Sequence, residues 1–234
     1  MVAPLIAALA AVIGFLVAWR SRRRRLPART VIVSPGESAV IARDGAVRSV
    51  QSAVLTTTSE SLDRLWNPTN LENLGRTYWA FLSKVTLGFI RVIYTEHSRR
   101  VVFLFRPFTL LRFEPPEYVL DGDHGAVKWR IRDGLLVART GRGCGYLALY
   151  VERESASQVR IQVEVANFYP AIAAGFSILV YEMTQSAIHV LVTHAFLRSL
   201  ATLELEESKV GTLRAPETNG DVPAAPEPAP TTQP

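Results

Sequence analysis

Glu182, Gln185 or Ser186, His189 and Thr193 recur three or four residues apart, so on a helix they share one face. A carboxylate, an amide, an imidazole and a hydroxyl in one stripe can hydrogen-bond the polar end of a ligand. Glu182 and His189 could also exchange a proton as acid and base, since histidine titrates near neutrality. Catalysis would require a third, orienting group, and none is evident. The plainer alternative is a solvated face or a set of satisfied buried polar groups, so no residue is assigned a catalytic role.

Other constellations are weaker still. His189 and His194 are five apart, about 140° around a helix, and cannot share one ion as an i, i+4 pair does. The run 121–125 imitates the start of a calcium loop, but Ala126 and Arg132 stand where glycine and a bidentate glutamate are required, so it reads as a loop between strands. Gly141, Gly143 and Gly145 precede a strand and not a helix, which denies a phosphate its helix N-terminus. Cys144 has Arg142 nearby but no adjacent histidine, and no G-x-S-x-G occurs. No metal or cofactor is implied.

The elements that must position these residues follow from periodicity. Val31 to Val33 and Ala39 to Val47 read as short strands, the second turned at Asp44-Gly45. Thr57 with Glu60 predicts the capping box of a short helix through Trp66, ended by Asn67-Pro68. Thr69 with Glu72 predicts another, opening a longer helix with Leu71, Leu74, Tyr78, Phe81 and Val85 on one face. Thereafter the period becomes two. Val101, Phe103 and Phe105 alternate with apolar neighbours, as in a strand covered on both sides. Val127, Trp129 and Ile131 alternate with Lys128, Arg130 and Arg132, a face that is either solvated or laid against acidic headgroups. Asp133-Gly134 turns the chain into Leu135 to Ala138. Tyr146, Ala148 and Tyr150 face away from Leu147, Leu149 and Val151, and Val159, Ile161, Val163 and Val165 oppose Arg160, Gln162 and Glu164. About six strands with short turns predict an antiparallel sheet. From about Ile172 to Glu206 the pattern is one long helix, and Glu182, Gln185, His189, His194 and Arg198 argue against its crossing lipid.

The order of a first strand or hairpin, two small helices, a curved antiparallel sheet and one long C-terminal helix resembles the helix-grip fold of the START-like, or polyketide cyclase-like and Bet v 1-like, superfamily. The resemblance runs from about Ala39 to Leu205 and is carried by Gly145 to Tyr150, then Val159 to Pro170, then helix. It implies an α+β domain with a cavity between sheet and helix that commonly holds a hydrophobic ligand. On that reading Tyr146, Tyr150, Glu182, Gln185 and His189 are the candidate ligand-binding residues, and a hydrophobic small molecule is the candidate partner. A membrane-tethered interaction module with a filled core is the alternative.

The ends of the chain set its surroundings. Val2 to Trp19 carries no charge and, at about 1.5 Å per residue, spans roughly 27 Å, close to a bilayer's hydrocarbon core. Arg20, Arg22, Arg23, Arg24 and Arg25 follow as a cationic collar suited to anionic lipid headgroups. A single-pass anchor is expected, with the basic side and the domain cytoplasmic and the N-terminus outside. The collar with Arg29 holds six of the 26 basic residues, leaving 20 against 21 acids, so the high isoelectric point is a membrane signal and not a nucleic-acid footprint. One cysteine excludes an internal disulfide. The expected organisation is an anchor over 1–19, an Arg-rich linker over 20–30, the domain over 31–210, and a proline-rich disordered tail over 211–234.

Overall fold

A computed structural model describes residues 26–33, 39–95, 98–104, 108–171 and 187–207. The expected anchor, the collar arginines Arg20 and Arg22 to Arg25, the proline-rich tail, and Glu182 and Gln185 lie outside them. Among the described residues no helix is long and apolar enough to cross a membrane.

The elements run β1 (Arg29–Val33), β2 (Ala39–Ile41), β3 (Val47–Thr56), α1 (Ser59–Leu65), α2 (Pro68–Val85), β4 (Ile90–Thr95), β5 (Ser98–Phe103), β6 (Thr109–Phe113), β7 (Glu117–Asp121), β8 (His124–Asp133), β9 (Tyr146–Ser155), β10 (Gln158–Phe168) and α3 (Ala187–Ser199). The strands form one antiparallel sheet in the order β1-β3-β10-β9-β8-β6-β5-β4, with β2 beside β3 and β7 beside β8. β8 serves two neighbours. Its first half pairs with β7, Lys128 against Glu117, and its far end with β6, Ile131 against Phe113.

The register decides what faces the helices. Gln51, Val163, Leu149 and Val127 lie across from one another on successive strands, and Trp129 and Ile131 continue that face. All are buried. Both α2 and α3 pack there. Trp79 of α2 meets Trp129 and Phe113 at ring-centroid distances of 5.2 Å, and Tyr78 meets Phe196 of α3 edge to face at 5.1 Å. The result is an α+β, helix-grip arrangement.

Four local expectations need correction. The hairpin at Asp44-Gly45 forms, held by Ala46 N–H donating to the Asp44 carboxylate, but its second arm runs on as the ten-residue β3, because it pairs with β10 along most of its length and with β1 over its second half, with the polar Ser49, Gln51 and Ser52 buried. The helix caps are displaced. Thr58 caps α1, accepting from Ser61 N–H at 3.2 Å, and Asn67 caps α2, accepting from Asn70 N–H at 2.9 Å with Pro68 at the first helical position. Leu135 to Ala138 is not a strand. It follows β6 irregularly because Gly134, at φ +150°, lies where a Cβ would stand 2.2 Å from the Leu110 carbonyl oxygen. α3 stops at Ser199 and not near Glu206. The Ser199 hydroxyl donates to the Phe196 carbonyl and the Thr202 hydroxyl to that of Ser199, and the chain leaves through Leu203 at φ +56°.

β5 is covered on both sides at Val101 and Val102, whereas Phe103 is exposed. Order also begins earlier than expected: Ala28 is buried and its N–H donates to the Ala201 carbonyl, inside the stretch expected to be linker.

Candidate functional site

An apolar, partly open cleft of about 80 Å³ lies where α1 and the start of α2 lean over the sheet. Its floor comes from Leu55 of β3, Val151 of β9, and Val159 and Ile161 of β10. Leu62 and Leu65 form one wall and Leu71 and Leu74 the other. Each is placed by its period, two on the strands and three or four on the helices. Leu203 and Leu205 close the rim, and Glu206 N–H donates to the Thr77 hydroxyl at 2.8 Å, tying this last segment to α2. Asn67 and Asn70 supply the polar groups of the lining. Trp66, also at the cleft, donates its indole N–H to the Gly122 carbonyl. That turn is the 121–125 run once compared with a calcium loop: it is the β7–β8 hairpin, with Asp121 paired to His124.

Beside the cleft, β7 turns Leu120 into the lining and Tyr118 toward a charged cluster of Glu72, Arg76, Tyr94 and Arg99. The Arg76 guanidinium lies 4.1 Å from the Tyr94 ring centre and that of Arg99 5.1 Å. Burial, and after it the Glu72 carboxylate, pushes the Tyr118 phenol up to about 12. Tyr118 is thus a proton-bearing phenol at neutral pH, able to donate a hydrogen bond.

Of the residues singled out from sequence, the structure describes the side chains of Tyr146, Tyr150 and Thr193, and it does not bring them together. Tyr146 and Tyr150 lie on the outer face of the sheet, opposite Leu147, Leu149 and the cleft's Val151. There Lys128 Nζ sits 4.2 Å over the Tyr146 ring, and Glu164, 5 % exposed, accepts from Arg48 at 2.7 Å. Burial first, then Tyr146 and Glu164, raises the Tyr150 phenol to about 12. His189 falls in α3, but its side chain lies outside the described residues. Thr193, the last member of the stripe, is fully buried, and its hydroxyl has no partner among the described residues.

The polar contact that α3 does make with the sheet was not anticipated. His194 Nε2 lies 2.5 Å from the Gln51 side-chain oxygen. Burial, then Arg198, lowers the pKa of that imidazole. The available signal is Gln51 itself, a large polar side chain in the 47–56 stretch whose valines and leucine otherwise mark a buried strand. Cys144 is exposed in the connection before β9. Among the described residues no group of three or more His, Cys, Asp or Glu could hold a metal ion.

No protein-family model matches the chain, and no curated protein matches it. Solved structures do. Human StAR-related lipid transfer protein 5 is similar at 11% identity and a TM-score of 0.41, over 86% of this chain and 98% of that one. A truncated norcoclaurine synthase from Thalictrum flavum is similar at 11% identity and 0.39, over 71% and 98%. Ginseng major latex-like protein 151 from Panax ginseng is similar at 7% identity and 0.32, over 73% and 96%. All three are helix-grip proteins, the superfamily that the order of elements resembles. At these scores nothing about ligand or chemistry transfers.

Proposed function

We infer that this chain is a membrane-tethered domain that seats the apolar part of a small hydrophobic or lipid-like molecule in the cleft between α1, α2 and the sheet. The observation that carries the reading is the lining. Leucine, valine and isoleucine side chains from four strands, two helices and the Leu203–Leu205 segment converge there, with Asn67 and Asn70 as the polar groups. Apolar surface gathered in this way gains on covering.

Its size limits the occupant. About 80 Å³ is below the ~300–1,000 Å³ of sites that hold whole drug-sized ligands, and about half the ~150 Å³ cavity that suffices for benzene. The cleft suits a chain end or a short branched group, with the rest of the molecule outside or admitted by displacement of Leu203 and Leu205. The uncharged run 2–19 and the arginines after it support permanent tethering, with the domain on the cytoplasmic side. Protease digestion of the C-terminal tail from outside right-side-out vesicles would overturn that orientation.

Trp66 reports on the cleft. In the full chain carrying Trp19→Phe, which removes the tryptophan at the expected membrane interface, and reconstituted into nanodiscs, a phospholipid brominated near its acyl terminus is expected to quench Trp66 emission. Quenching should vanish in Trp66→Phe and weaken in Leu71→Phe, which fills the site. Undiminished quenching in Leu71→Phe, or none in the parent chain, sinks the reading.

A second reading, an interaction module without ligand, is favoured by the filled centre of the domain. Tyr78, Trp79, Phe113, Trp129 and Phe196 occupy the space between the helices and the sheet. Absence of Trp66 quenching with the fold intact would favour it.

A further inference from the structure

Leu87, Phe89, Phe103, Leu104 and Phe108 are each more than 40% exposed and meet at one end of the domain, where α2 passes into β4 and β5 leaves the sheet. The rings of Phe89 and Phe103 stack with centroids 6.4 Å apart. Backbone bonds hold the group together: Leu104 N–H donates to the Phe89 carbonyl at 2.7 Å, and Phe103 N–H to that of Phe108 at 2.9 Å. Leu87 and Leu104 have φ of +53° and +60°, a conformation unfavourable to a side chain larger than glycine. Two leucines are therefore fixed in left-handed backbone with their side chains in solvent.

The same end is basic. Lys84 closes α2 just before Leu87, Arg91 follows Phe89 on β4, and Arg100 stands three residues before Phe103 on β5, although the chain beyond the collar is near neutral. Lys84, Arg91 and Arg100 are exposed, and Arg91 Nε donates to the Gly88 carbonyl at 3.2 Å, which holds that cation beside the apolar tip. Apolar side chains ringed by cations match an anionic bilayer surface, with acyl chain for the leucines and phenylalanines and phosphate for the guanidinium groups.

We propose that this tip, centred on Leu87, Phe89, Phe103 and Leu104, docks on the headgroup region of an anionic membrane. It is a surface contact beyond the ligand cleft and requires no ligand. Ala28 and the cleft lie near the start of α2 and the tip at its end, about 27 Å apart along the 18-residue helix. A chain held at both places lies along the bilayer.

The test uses the full chain carrying Cys144→Ser, with an environment-sensitive fluorophore on Phe89→Cys or, as control, on the exposed Val119→Cys. It is reconstituted into nanodiscs of phosphatidylcholine alone or mixed with phosphatidylglycerol. Docking predicts blue-shifted emission from position 89 in the anionic discs, quenched by spin-labelled lipid and reversed by high salt, while position 119 does not respond. Reversing charge at Arg91 and Arg100 should lower the docked-to-undocked ratio about fivefold or more per residue. Emission from position 89 that is indifferent to lipid charge overturns the proposal. A shift that instead rises with the number of chains per disc, whatever the lipid, also overturns it and assigns the tip to contact between copies of the chain.

Discussion

Gly75 of α2 lies directly against the indole of Trp129, so close that a Cβ on the glycine would stand 3.0 Å from the ring. This contact seats the helix on the sheet between the cleft and the aromatic core. Trp129 is 2% exposed and also packed edge to face against Trp79, one turn further along α2, so the ring cannot withdraw freely.

Gly75→Ala sets two effects against each other. Alanine favours the helix by about 1 kcal/mol, and overpacking a closed core costs roughly 1–3 kcal/mol. The core term is expected to win, leaving a net loss of about 1 kcal/mol, with Gly75→Val worse. Urea unfolding of the purified chain measures it. A stabilised Gly75→Ala would mean that α2 is free to lift from Trp129.

The caps give a paired prediction. Asn67 accepts from Asn70 N–H and donates to the Arg64 carbonyl at 2.9 Å, joining α1 to α2. Asn67→Ala should cost about 1 kcal/mol, whereas Thr69→Ala, at the residue first expected to cap, should stay within about 0.5 kcal/mol. Equal losses from the two substitutions would restore the Thr69 cap.

His194 makes stability depend on pH. Burial, and after it the Arg198 charge, holds its imidazole below the ordinary value of 6.5. The unfolded chain takes up the proton first as pH falls, so stability declines below 6.5 until the folded-state value is passed. Above 6.5 both states are neutral and the group contributes nothing to the slope. Unfolding midpoints from about pH 8 to about pH 5 should fall less steeply in His194→Gln than in the parent chain. Parallel profiles would remove His194 from the account.

Strands whose alternation was clean were legible from sequence. Val127, Trp129 and Ile131 face inward as expected, and Val159 to Val165 build the cleft floor and the core. β3 escaped because its inward face carries Ser49 and Gln51, and the large polar side chain of Gln51 is met there by His194. That partner is distant in sequence and invisible to local pattern. The cleft was not legible for a related reason. Tyr146 and Tyr150 were chosen as aromatic, yet strand parity puts them on the face away from Val151. The leucines that do converge come from five elements, and no spacing within one element announces them. The end of α3 was obscured by continued apolar sequence: Leu203 and Leu205 look like another helical turn but pack onto the cleft from an irregular segment that turns at Leu203.

The pairing of β3 with β10 has a consequence in time. Gln51 and His194 are 143 positions apart, and β3 is flanked by β10 along most of its length. At a synthesis rate of about 5–20 residues per second, β3 waits roughly 7–30 s for the helix that satisfies its glutamine. Until β10 emerges, somewhat before that helix, the nascent chain presents an open strand edge, and its first half depends on α1, α2 and the β4–β9 meander to keep that edge from pairing elsewhere.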